Sequence, residues 1–148
     1  MNTITMLDRK LPFEFVFDTL RKMSSLFTPP ISESLNIEAY AKKLSDKAEF
    51  VVCMDGDDLL GFVAYYLNQS ERQVYVTLIC VDVRYQALGI GGKMLEHMVM
   101  RAKSIDKHYD TVALEVNKHN VKAHGFYLKH GFVEQEDRGE KLLMVSTI

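Results

Sequence analysis

Long hydrophobic runs are missing from this chain of 148 residues: the longest mostly apolar stretch, 59–67, is far short of the ~20 residues a spanning helix needs. No membrane partner is expected. The opening, MNTITMLDRK, lacks a basic start followed by an apolar stretch and a small-residue cleavage site. No export signal is visible, and the cytoplasm is the expected compartment. Cysteine is scarce. Cys53 and Cys80 each sit in an apolar, strand-like run without C-x-x-C spacing, which reads as two buried thiols. Neither sign of charge dominates, with 18 Lys and Arg against 20 Asp and Glu and a formal charge of -2. That balance excludes a global basic field for nucleic acid or anionic lipid, so any attraction for anions must be local. His108, His119, His124 and His130 lack zinc spacings such as H-E-x-x-H, and no metal site is expected.

What is present is ordinary globular composition, 47% hydrophobic and 26% charged, in a length that suits one core and one domain over 1–148. Apolar residues at Phe13, Val16, Phe17, Leu20, Met23 and Phe27 make one helical stripe, stopped by Thr28-Pro29-Pro30. A second helix is expected over 37–47, with Asn36 as its N-cap. From Phe50 the period changes. Stretches 50–54, 59–67 and 73–81, separated by turn compositions, predict an antiparallel meander, and 74–81 is so evenly apolar that both its faces should be covered. A helical stripe over 90–104 leads to a strand at 111–116, which the crossover makes parallel to the one before it. A helix over 120–130 ends at Gly131, and a hairpin of 132–136 with 141–147 closes a mixed α/β chain.

The stretch Val81-Asp82-Val83-Arg84-Tyr85-Gln86-Ala87-Leu88-Gly89-Ile90-Gly91-Gly92-Lys93 joins a strand to a helix. Each glycine inside a helix costs up to ~1 kcal/mol relative to alanine, so three at a helix start weaken the turn unless bare backbone has a use. From Arg84 to Gly92 there is no Ser, Thr, Asp or Asn to cap the first amides. A pyrophosphate would satisfy them: it accepts several N–H bonds and is favoured by the positive end of the helix dipole. Lys93, a cation in the first turn, gains from the same anion.

The spacing Gln86-x-x-Gly89-x-Gly91, directly after a strand and opening a helix, resembles the acyl-CoA pyrophosphate loop of the GNAT superfamily of N-acetyltransferases. Asn120-x-x-Ala123-x-x-Phe126-Tyr127-x-Lys129-x-Gly131-Phe132 is similar to the superfamily's second signature. The two span 74–132, whereas 2–48 carries no recognisable signature. The resemblance implies an α+β fold with a mixed, mostly antiparallel sheet, helices on both faces and a splayed central parallel strand pair. It also implies acetyl-CoA as cosubstrate. Gln86, Ala87, Leu88, Gly89, Ile90, Gly91, Gly92 and Lys93 would hold the pyrophosphate. Backbone of Ile79, Cys80 and Val81 would pair with the pantetheine amides, with Asn120, Ala123 and Tyr127 along the same ligand.

The implied reaction is acetyl transfer to a primary amine of a small molecule or peptide. An amine of pKa ~10.4 is only about one part in two thousand neutral at pH 7, so a base or a water chain is needed. Many relatives place a glutamate on the strand before the loop; Thr77 stands there in this chain. Glu115 is the first substitute, with His124 or Tyr75 through water as weaker ones. Tyr127 is the expected acid, a phenol protonated at pH 7 that can donate to the departing sulfur. Asn120, Ala123, His124 and Tyr127 are expected along one helix face. Lys118 and Lys122 could meet the ribose phosphate. The acceptor site should involve 27–35 and the acidic Glu134, Glu136 and Asp137. Thr77 also keeps a non-catalytic acyl-CoA sensor in view. Acceptor, acyl length and oligomeric state, a homodimer included, stay open.

Overall fold

The computed structural model describes residues 4–23 and 36–148. Seven strands form one sheet in the order β1-β2-β3-β4-β5-β7-β6. They are β1 (Ile4–Asp8), β2 (Glu49–Asp55), β3 (Asp58–Asn68), β4 (Gln73–Val81), β5 (Thr111–Asn117), β6 (Val133–Asp137) and β7 (Lys141–Thr147). Among the described residues only β4 and β5 run parallel, as the helical crossover between them demands. β1, in the stretch without a recognisable signature, pairs antiparallel with β2. Among the described residues the α-helices are α1 (Phe13–Met23), α2 (Ile37–Lys47), α3 (Ile90–Ile105) and α4 (Val121–Lys129). The part of the first expected helix beyond Met23, its proline stop and the expected acceptor segment 27–35 lie outside the described residues.

Two apolar clusters sandwich the sheet. Val16 and Leu20 of α1 and Ala41 and Leu44 of α2 pack with Phe50, Val52, Phe62 and Ala64 on one face. Ile90, Met94, Met98 and Ala102 of α3 and Tyr127 of α4 pack with Val51, Cys53, Val63 and Tyr65 on the other. Asn36 caps α2 as expected, its Oδ1 accepting from Ala39 N–H at 3.0 Å.

The apolar run of β4 has a cause that period alone does not reveal. Val76 pairs with Tyr65 and Leu78 with Ala64, so Thr77 is an extra residue, a β-bulge. Before it, Val74 and Val76 face the α3 side; after it, Leu78 and Cys80 face the α1/α2 side. The strand serves both cores by switching faces midway. Pairing with β5 also stops here, at Val76 opposite Leu114. Beyond that point β4 pairs only with β3 and β5 only with β7, which is the splay of the central parallel pair.

Candidate active site

At the open end of the splay, β4 runs into a 3-10 turn over Val83–Leu88 and then into α3. Asp82 starts the turn: it accepts from Arg84 N–H at 2.9 Å and holds the Arg84 guanidinium at 3.0 Å, which keeps its carboxyl below the usual range. Gly89 sits at φ +74° and N-caps α3 with no side-chain hydrogen bond. Lys93 N–H donates to Gly89 O at 3.2 Å, so the amides of Ile90, Gly91 and Gly92 precede the first helical bond. These amides can receive an anion.

The three glycines divide their work. Gly89 supplies a left-handed conformation, with open space where a Cβ would stand. A Cβ on Gly91 would lie 3.0 Å from the Phe126 ring, and one on Gly92 would lie 2.5 Å from the His130 ring. Those two let α4 approach α3, a packing role separate from anion binding. Gln86 ties the turn together, donating to Val81 O at 3.2 Å and accepting from Lys122 Nζ at 2.9 Å. Lys122 thus stands at the loop, whereas Lys118 is bound to Asp137 at 2.7 Å. Lys93 is exposed, Leu88 is 46% exposed and Ile90 is core. Ala87 belongs to the 3-10 turn.

Ile79 and Val81 are partly buried toward α3 and α4. Cys80 turns the other way, and burial pushes its thiol up to about 12. With Cys53 also buried, both thiols are inert packing groups, as their sequence contexts indicate.

The second signature folds as α4. Asn120 is its N-cap, Oδ1 accepting from Ala123 N–H at 3.1 Å. Asn120→Ala should cost about 1 kcal/mol of stability in urea titration, while Asn120→Asp retains the cap and stays near wild type. Gly131, at φ +90°, ends the helix: Phe132 N–H donates to Tyr127 O at 3.0 Å and Gly131 N–H to Leu128 O at 3.3 Å. This terminal motif folds Phe132 back against the Tyr127 ring, centroids 5.5 Å apart, with Phe126 at 5.4 Å. Tyr127 is buried, burial raises its pKa well above the ordinary phenol value, and its hydroxyl has no hydrogen-bond partner among the described residues. The expected single face of α4 divides. Ala123 and Tyr127 point into the core, whereas His124 reaches β6 and binds Glu134 at 2.6 Å.

Across the sheet, Glu115 is the first residue of β5 beyond the last β4–β5 pair. Alternation puts it on the α1/α2 face, because Leu114 and Val116 belong to the other cluster. Its Oε1 accepts from Tyr75 OH at 3.4 Å and its Oε2 from Arg138 Nη1 at 3.1 Å. Thr77 cannot replace a carboxylate; its Oγ1 and carbonyl lie 3.0 and 3.1 Å from Tyr40 OH. The Tyr40 and Tyr75 phenols are each pushed up to about 12, chiefly by burial. The acidic tail is already paired, Glu134 with His124, Glu136 with Arg138 and Asp137 with Lys118. Among the described residues no group of His, Cys, Asp or Glu could hold a metal ion, and no helix is long and apolar enough to cross a membrane.

This geometry, an uncapped helix entrance at the end of a splayed parallel pair, coincides with what comparison with known proteins finds. Residues 17–132 match the model of the Acetyltransferase (GNAT) family, and the chain belongs to that family. It is 35% identical over 65 residues to N-alpha-acetyltransferase 50 of Danio rerio, covering 44% of this chain and 38% of that protein. It is 28% identical over 96 residues to the spermine/spermidine N(1)-acetyltransferase of Bacillus subtilis (strain 168), covering 59% of this chain and 62% of the relative. The chain thus spans less than two thirds of either relative. Among solved structures, the PaiA N-acetyltransferase of Thermoplasma acidophilum in complex with coenzyme A superposes with a TM-score of 0.75 at 18% identity, over 97% of this chain and 99% of that one. The GNAT fold, with its seven-stranded mixed sheet and β4–β5 parallel pair, is the fold expected from the two signatures.

Proposed function

We propose that this protein moves an acetyl group from acetyl-CoA to a primary amine of a small molecule or peptide, by direct transfer with both substrates bound. The observation that carries this reading is the α3 entrance. Gly89 at φ +74° opens a helix whose first amides have no side-chain cap, at the end of a strand released by its parallel neighbour. Amides of Ile90, Gly91 and Gly92, with Gln86, Ala87, Leu88 and Lys93 around them, grip the pyrophosphate. Lys122, held at Gln86, adds a cation there. Backbone of Ile79 to Val81, released by the splay, binds the pantetheine arm and polarises the thioester carbonyl. Asn120 and Ala123 line the same arm.

Acetyl-CoA supplies an activated acyl group with a thiolate leaving group. Tyr127 supplies the proton to that sulfur: its raised pKa keeps the phenol neutral, and its hydroxyl is uncommitted among the described residues. Glu115 is the base or the anchor of the base's water, half-buried beyond the splay and ordered by Tyr75. The relatives' printed activities, on N-alpha amines and on spermine or spermidine, agree with an amine acceptor.

The non-catalytic alternative, an acyl-CoA sensor, is favoured by one observation: Thr77 and its Tyr40 hydrogen bonds stand where many relatives carry a carboxylate. Free thiol released from acetyl-CoA across a panel of amino sugars, polyamines, amino acids and peptides decides between them. Thiol release with any amine supports transfer; heat of coenzyme A binding in calorimetry without release from any amine supports the sensor. Gly89→Val, forced into a left-handed conformation, should lose about 1–3 kcal/mol of stability and weaken coenzyme A binding. Wild-type affinity in that variant, or no binding by the wild type, removes the anion site.

A further inference from the structure

The α1/α2 face of the splay carries a second arrangement with a simple chemical reading. Glu115 there accepts from the Tyr75 hydroxyl on one oxygen and from the Arg138 guanidinium on the other. Arg138, on the turn between β6 and β7, is shared: its Nε lies 3.3 Å from Glu136 Oε1. We propose that Glu115 is the seat of the acceptor's ammonium group and that Arg138 is a resident cation on that seat, which the acceptor displaces onto Glu136. The proposal rests on the acetyl-transfer reading and names the acceptor subsite within it.

Place and chemistry argue for it together. Glu115 is the first β5 residue past the last parallel pair, so its carboxylate borders the gap through which the two sides of the sheet communicate. A carboxylate with a phenol beside it suits a primary ammonium, which has three protons to donate and no acceptor of its own. The Arg138 contact shows that a cation already finds the position favourable. Exchange is inexpensive, because the Arg138, Glu115 and Glu136 side chains are 39%, 28% and 57% exposed, and ion pairs that solvent reaches contribute little. Arg138 also has somewhere to go, since the Glu136 half of its pairing survives.

The hairpin backbone need not move. Arg138 N–H donates to Lys141 O at 2.8 Å, Lys118 N–H to Glu140 O at 2.9 Å and Gly139 N–H to Asp137 Oδ1 at 3.0 Å. Displacement is a side-chain rotation. A free carboxylate next to the acceptor's amine would meet Glu115, so simple alkylamines and peptide amino termini are favoured over free α-amino acids.

The test is an NMR titration with n-butylamine of the protein saturated with coenzyme A, reading the Kd from the Glu115 and Tyr75 amide shifts. Removing the resident cation in Arg138→Ala should tighten binding about three- to five-fold, the equivalent of one exposed ion pair. Glu115→Gln and the double variant should bind several-fold more weakly than wild type. Lys141→Ala removes a positive charge from the same hairpin without touching Glu115 and should leave the Kd unchanged. Weaker or unchanged binding in Arg138→Ala, an equal gain in Lys141→Ala, or no shift with the amine in any variant overturns the proposal. Loss of the coenzyme A signal itself, or absence of thiol release with every amine, would instead strike the acetyl-transfer reading.

Discussion

Tyr127→Phe should lower kcat by up to roughly 10²–10⁴-fold at saturating substrates while leaving the KM for acetyl-CoA and the thermal stability close to wild type. The separation follows from how the side chain is held. Its ring is fixed by Phe126, by Phe132 and by the glycine-ended turn that closes α4, contacts that phenylalanine reproduces. Only the hydroxyl differs, and it has no partner among the described residues whose loss would destabilise the fold. The pH profile adds a second signature. Burial raises the Tyr127 pKa, so the phenol keeps its proton through the range where an ordinary tyrosine, near ~10, begins to lose it. Wild-type kcat should therefore show no alkaline loss from this group up to pH ~10. Wild-type turnover in the phenylalanine variant would take the acid role away from Tyr127.

The parts of the molecule that the sequence announces are those governed by local rules. The α3 entrance was legible because glycines without a capping side chain are a local anomaly. Asn36 and Asn120 were legible as helix starts, although the Asn120 cap was not: its Oδ1 serves Ala123 N–H within α4. What escaped depends on pairing between distant segments. The Thr77 bulge needs the β3 register to be seen, and a uniformly apolar run reads as a doubly covered strand whether or not it switches faces. Arg138 gave no signal. In the sequence it is one cation in an acidic hairpin, and only the β5–β7–β6 strand order brings it to Glu115. The acidic tail likewise reads as part of an acceptor site, whereas the fold pairs Glu136 and Asp137 with cations and Glu134 with the His124 ring. Gly91 and Gly92 stand out in the sequence as bare backbone, but the helix packing that they permit involves Phe126 and His130, which the chain supplies more than thirty residues later.

Gly61 carries a local signal of its own: an isolated glycine inside a strand marks a bulge or a close approach of backbone. Both are present. Cys53 pairs with Gly61 and Met54 with Leu59, leaving Leu60 as the extra residue, and a Cβ on Gly61 would stand 2.6 Å from Cys80 O and 3.2 Å from Val81 Cα. Met94 Cε, at 3.3 Å, can move aside, but the β4 backbone is held in the sheet. Gly61→Ala should therefore destabilise by about 1–3 kcal/mol or more, as overpacking does, and at roughly 2–4 °C per kcal/mol lower the melting temperature by several degrees. The displaced segment is the one that borders the splay, and Asp82 N–H, which opens the 3-10 turn, donates to the adjacent Leu60 O at 2.8 Å. Coenzyme A affinity should fall with stability, because the strand end and the turn move together. Gly125→Ala provides the opposite case. It sits in α4 with nothing within 4 Å of a Cβ and no positive φ, so alanine should be neutral or stabilising by up to ~1 kcal/mol. A Gly61→Ala protein that melts with wild type and binds coenzyme A equally well would show that β4 can yield where it meets β3. The splayed strand end would then be a soft surface rather than the rigid wall that the proposed acetyl transfer requires.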